Sequence, residues 1–191
     1  MANFKEDILL ITTRLIVEEG FNYAEAKQKA GTIVRPNKRQ RAKSSNFPTN
    51  VEIERSVKDY LETFYWEELN LRLHILHGKA MNLMSELKVF APILIGELSK
   101  SIATAFTVIR ICVFSDSSKN ILIHFLDNNI KSEILQLKHP FNRGSVEGLA
   151  LIWEDHEAIL YCLKNSEKNL CSKGISLNML QQVVTNKVRN E

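Results

Sequence analysis

The stretch Phe90-Ala91-Pro92-Ile93-Leu94-Ile95-Gly96 through Phe114-Ser115-Asp116 constrains this chain more than any other. A proline and a glycine bracket a short apolar run. A second run, Thr107-Val108-Ile109-Arg110-Ile111-Cys112-Val113-Phe114, is dense in β-branched residues. Such runs suit the pleated, packed surface of a sheet, and their length is that of a strand. The spacing predicts two neighbouring strands, 93–95 and 108–114, joined by a tight irregular segment.

Upstream of that stretch the apolar period is helical. Phe4, Ile8, Leu9, Ile11, Leu15 and Ile16 form a stripe that ends at Gly20, a natural C-cap. Asn22-Tyr23-Ala24-Glu25 and Thr49-Asn50-Val51-Glu52 both place a capping residue three positions before an acid, the capping-box pattern of a helix start. They predict helices from 22 to about 31 and from 50 to 64, and a further helical pattern covers 67–88. Gly78 inside it marks close packing or a weak point. Phe64, Tyr65 and Trp66 at the join of two helices read as core.

Downstream, Asp116 or Ser117 can cap a helix over 118–128. Alternation over 130–138 and a hairpin of 148–155 with 157–163 follow, then a helix over 176–188. The fold class expected is α+β: an N-terminal helical region over 1–89, then a small mixed or antiparallel sheet with helices over 90–191.

Charge narrows the partners. The net charge of +3 is mild, but Arg35, Lys38, Arg39, Arg41 and Lys43 place five cations within nine residues, in a loop expected over 32–48. The remainder of the chain therefore sums to about −2, so the basicity is local. This cluster can contact the phosphates of RNA or DNA, although it has no interleaved aromatic on which bases would stack. The three cysteines show no CxxC spacing, and Cys112 and Cys162 sit in apolar runs, which suits a reducing, cytoplasmic setting. No run approaches the ~20 apolar residues that span a bilayer, and the acids near the start do not suit a signal peptide.

The 90–116 stretch also resembles a known pattern. It is similar to the nucleotidyltransferase-like core of an uncharacterised proteobacterial family, in which it reads approximately F-x-P-x-L-V-G-x-V-L-x-G-T-A-T, then S-D-I-x-L-x-L-F-x-D. The matching residues are Phe90, Pro92, Leu94, Gly96, Ala103, Thr104, Thr107, Ile109, Ile111, Phe114 and Asp116. The resemblance extends in patches to Val17-Glu18-Glu19-Gly20, Tyr23–Lys27, Pro48–Glu54 and Glu157–Leu160. Members of that family often carry the label UDP-N-acetylmuramate–alanine ligase. This chain does not support it, being too short for a multi-domain ligase and lacking a GxxxxGK[ST] phosphate loop.

The resemblance implies nucleotidyl transfer, with carboxylates holding Mg²⁺ beside a nucleoside triphosphate. Here the acid-x-acid positions hold Val108 and Arg110, the Gly-Ser position is Gly96-Glu97, and the later glycine of the pattern is Ser101. Glu157 matches a third carboxylate. The expectation is a degenerate, non-catalytic nucleotidyltransferase-like protein that acts by binding a protein or nucleic-acid partner, with no cofactor and no metal. Two alternatives stand. One is a divergent metal-dependent enzyme using Mg with a nucleoside triphosphate, its acids drawn from Glu97, Asp116 and Glu157. The other is a nucleic-acid module using Arg35, Lys38, Arg39, Arg41 and Lys43. Arg110 can replace a metal as a fixed cation on a phosphate, or simply face solvent or pair with Glu97. His74 and His77, three apart on a helix, read as surface or core residues and not as a metal pair.

Overall fold

A computed structural model describes residues 4–34 and 47–188, so the basic cluster at 35–43 lies outside the described residues. The fold is mixed α and β, with six helices and a six-stranded mixed sheet among the described residues. The chain divides into two compact units. One runs to Leu71 and includes Ile102–Phe106; the other is Arg72–Ser101 with Thr107 onward.

The first unit is helical. It contains α1 (Phe4–Glu19), α2 (Tyr23–Val34), α3 (Asn50–Phe64) and the first turn of α4 (Trp66–Glu86). Both capping signals are realised. Asn22 Oδ1 accepts from the backbone of Ala24 and Glu25, and Thr49 forms a reciprocal box with Glu52. The second helix continues three residues past Gly31, where a Cβ would meet the Phe47 ring at 2.8 Å. Gly31 is thus a packing residue and not the stop it resembles. Phe106 does the same at Gly20, its ring 2.6 Å from where a Cβ would stand. Phe64 and Trp66, expected in the core, are 66% and 56% exposed. Both lie past the buried stripe of Ile53, Val57 and Leu61, on either side of the break between α3 and α4 at Tyr65.

The second unit is built on the sheet. Its strands are β1 (Ile93–Ile95), β2 (Ile109–Phe114), β3 (Ser132–Lys138), β4 (Ser145–Trp153), β5 (His156–Leu163) and β6 (Ile175–Ser176), in the order β3-β4-β5-β2-β1-β6. Only β2 and β5 run parallel; the other pairs are antiparallel. The β4–β5 hairpin turns on Glu154 and Asp155, with φ of 47° and 62°. Two consecutive left-handed residues make the turn that matches strand twist, but neither is the glycine such a turn favours. Lys79 Nζ donates to the Glu154 carbonyl at 2.5 Å and Asn82 Nδ2 to its carboxylate at 2.8 Å, so α4 holds the turn in place.

One face of the sheet is covered over its central strands and open toward the edge strand, where Ile134 is 41% exposed. Ile109, Ile111, Val113, Leu149 and Leu160 have little or no exposure, and α5 (Ser118–Asp127) packs there through Ile121 and Phe125. Ser117, not Asp116, caps α5. His124 hydrogen-bonds the Glu86 carbonyl and so ties α5 to the end of α4. Leu83, Met84 and Leu87 add a buried stripe to the same unit. α6 (Leu177–Val188) follows β6.

Candidate functional site: the uncovered end of the sheet

Among the described residues the second face is covered at one end only. Residues directly opposite one another in paired strands share a face, so the register defines rows across the sheet. One row is Leu135, Gly148, Tyr161, Cys112, Ile93 and Ser176, through all six strands. The next toward the start of β2 is Glu133, Ala150, Ile159, Arg110 and Ile95. Beyond it, Ile152 pairs Glu157, and one further step of register brings Val108 level with Glu157.

A 3-10 helix, Asn165–Cys171, covers the far rows. There Cys112, Phe114, Leu163 and Cys171 form a buried cluster that also takes in Ile95 of the nearer row, with Ile93, Val146 and Tyr161 packed against it. Glu167 anchors the 3-10 helix: its carboxylate accepts from the Lys164 backbone and pairs with His139 Nε2 at 3.1 Å. His139 Nδ1 accepts from the backbone of Phe141 and Asn142, so the ring proton sits on Nε2 and points at Glu167. The Lys164 backbone N–H, more than His139, holds the Glu167 carboxyl below its ordinary range.

Among the described residues the near rows are closed at β1, where Ile95 is buried, and lie open toward β3, β4 and β5. Between β3, β4 and β5 they form a depression of about 710 Å³ lined by Lys131, Glu133, Ala150, Ile152, Glu157 and Ile159, among others. Its floor is apolar, with Ile152 64% exposed, and its rim carries charge. Arg110 stands in the same row as Ile159, half-buried, its side chain 3.5 Å from where a Cβ on Gly96 would be. Among the described residues Arg110 has no ion pair or side-chain hydrogen bond.

The positions singled out in the sequence divide between the two ends of the sheet. Val108, Arg110 and Glu157 share one face at one end. Glu97 lies at that end too, two residues past Ile95, which pairs Arg110. His156 fastens this end, its Nε2 2.7 Å from the Thr107 carbonyl. Asp116 is exposed at the opposite end, beyond Phe114. The six residues of β2 between the ends span roughly 16 Å at about 3.3 Å per residue, so Asp116 does not join Glu157. His74 is exposed while His77 is buried with Nε2 3.1 Å from the Leu98 carbonyl, so the two do not converge. Among the described residues no group of three His, Cys, Asp or Glu side chains is placed to hold a metal.

Two features of the site escape a linear reading. Glu133 and Lys131 reach it only because β3 pairs β4 with Glu133 opposite Ala150, and strand register is not written locally. Cys112 and Cys171 share one buried cluster, though 59 residues separate them in the chain (171 minus 112). The interaction of the two thiols, with burial, pushes Cys112 up, and the same interaction lowers Cys171 against the effect of its burial; burial, with the Glu147 carboxylate, takes Cys162 up to about 12.

No family model matches this chain, and no curated protein or solved structure matches it either. Among the described residues no helix is long and apolar enough to cross a membrane.

Proposed function

We propose that this protein acts by binding a protein partner at the uncovered end of its sheet, as a degenerate member of the nucleotidyltransferase-like class that it resembles. The observation that carries this reading is the row Glu133, Ala150, Ile159, Arg110 and Ile95. On the resemblance, the strand face at positions 108 and 110 would present two carboxylates to Mg²⁺. In this chain Val108 offers no donor, and Arg110 adds a positive charge where a cation would bind. The apolar floor of Ala150, Ile152 and Ile159 suits an apolar side chain. The carboxylates of Glu133 and Glu157 suit a cationic neighbour on the same partner and disfavour a phosphate backbone.

A photo-crosslinking residue at Ile152, compared with one at Leu126, tests this; both positions are exposed, at 64% and 62%. Partner adducts concentrated at 152, and weakened by Glu157→Lys, are the expected result. Equal labelling at both positions would remove the depression as the binding site.

A second reading has a specific observation in its favour: Glu97 and Glu157 do share one end of the sheet. They are the remaining acids of a divergent metal-dependent nucleotidyltransferase. It requires that Mg²⁺ with a nucleoside triphosphate raise the melting temperature, and that Glu157→Gln abolish the rise. The nucleic-acid reading rests on Arg35, Lys38, Arg39, Arg41 and Lys43. It requires salt-dependent RNA or DNA binding that their replacement by Ala removes.

A further inference from the structure

We infer that Cys112 and Cys171 are a redox modification site, forming a reversible disulfide that fastens the 3-10 helix Asn165–Cys171 to strand β2. Cys112 lies in the middle of β2, with Ile93 and Tyr161 as its neighbours in the row. Cys171 ends the helix that covers this row, and both thiols belong to one buried cluster. The chain after Cys171 is held close to the same place. Gly174 N–H donates to the Cys171 carbonyl at 2.8 Å, and a Cβ on Gly174 would run into Ile93 Cγ2 and the Leu94 carbonyl. The backbone on both sides of the pair is thus fixed by contacts that do not involve sulfur. The two side chains are packed into that one buried cluster, Cys112 from the strand and Cys171 from the end of the helix that covers it, so the disulfide joins elements already in contact. Cys162 is excluded by alternation: it pairs Val113 and lies on the other face of the sheet.

Access is the remaining requirement, since Cys112 and Cys171 are 0% and 2% exposed. The covering element is weak by construction. Its seven residues are entirely 3-10, a geometry rarely sustained over more than three or four residues, and its anchor is the Glu167 contact with His139 and the Lys164 backbone. Transient release of this element exposes both sulfurs together.

The oxidant is a small disulfide such as oxidised glutathione. The Cys171 thiolate attacks one of its sulfurs, forms a mixed disulfide and releases one small thiolate, which takes up a proton. Cys112 then loses its proton and displaces the second thiol. Two protein thiols become one S–S bond, and one small disulfide becomes two thiols.

The test uses the full chain carrying Cys162→Ser, equilibrated in glutathione buffers of graded ratio at a temperature that permits local opening. Peptide mass spectrometry under non-reducing conditions reads the linkage, and thermal melting reads its effect. The expected result is an intramolecular link between the peptides containing Cys112 and Cys171, with a higher melting temperature that returns to the reduced value on adding dithiothreitol. Cys171→Ser in the same background removes both changes. Full alkylation of both thiols at the most oxidising ratio, or only intermolecular disulfides, overturns the inference. The linkage assay needs no variant at Cys112, so a folding defect there does not affect the result.

Discussion

At the residue scale, two glycines make opposite predictions. Gly78 lies inside α4 with nothing within 4 Å of where its Cβ would stand. The helical cost of glycine is therefore not offset by any packing gain, and Gly78→Ala should stabilise the protein by about 0.5–1 kcal/mol, read from the midpoint of urea unfolding. Gly148 lies in β4 with the Leu160 carbonyl and the Leu137 side chain occupying the place of a Cβ. Gly148→Ala should destabilise by about 1–3 kcal/mol in the same measurement, because a well-packed sheet face has to move. From the sequence alone the two are alike, each a glycine inside a regular pattern. Only the tertiary neighbours distinguish them.

At the scale of elements, the start of α3 is a small electrostatic assembly. Thr49 caps the helix, Glu52 closes the box, and Lys5 of α1 donates to Glu52 at 2.6 Å. Thr49→Ala should cost about 1 kcal/mol of stability in denaturant melts. The Lys5 contact first, then the two Thr49 contacts, hold the Glu52 carboxyl at about 2, against an ordinary 4.5. A depressed carboxyl contributes stability that is fully present above its unfolded pKa and disappears as pH falls through the folded one. The melting-temperature difference between the protein and its Lys5→Met variant should therefore be constant above pH 4.5, shrink between 4.5 and 2, and vanish below.

These elements are legible because caps and periodicity are local. The 3-10 helix and β6 are not: one lacks an amphipathic period and the other has two residues. The candidate site is half legible for the same reason. Glu157, Arg110 and Val108 stand out because the pattern of a strand and a resemblance converge on them. Ile152, Glu133 and Lys131 are brought in by the pairing of β3 with β4, a long-range choice. Arg110 has no ion pair among the described residues, so the pairing with Glu97 weighed from the sequence is not formed.

At the scale of the molecule, the sheet order sets a gradient of protection. β2 and β5 are central, flanked on both sides by paired strands, while β3 is an edge and β6 closes the other side with two residues. Hydrogen exchange should be slowest at the amides of β2 and β5, where opening requires loss of the whole sheet, and markedly faster along β3. Slowest exchange in β3 would contradict the strand order.

The parallel pairing of β2 with β5 also bears on how the chain acquires its structure. Ile109 meets Ala158, and His156 reaches the Thr107 carbonyl across 49 residues of chain. The hairpins can zip from their turns, but this central seam has to close a loop of chain that contains α5, β3 and β4. Loop-closure entropy is spent before the seam returns any contact energy. Refolding should therefore proceed at the slow pace of a high-contact-order topology, with the helices in place well before the two central strands join.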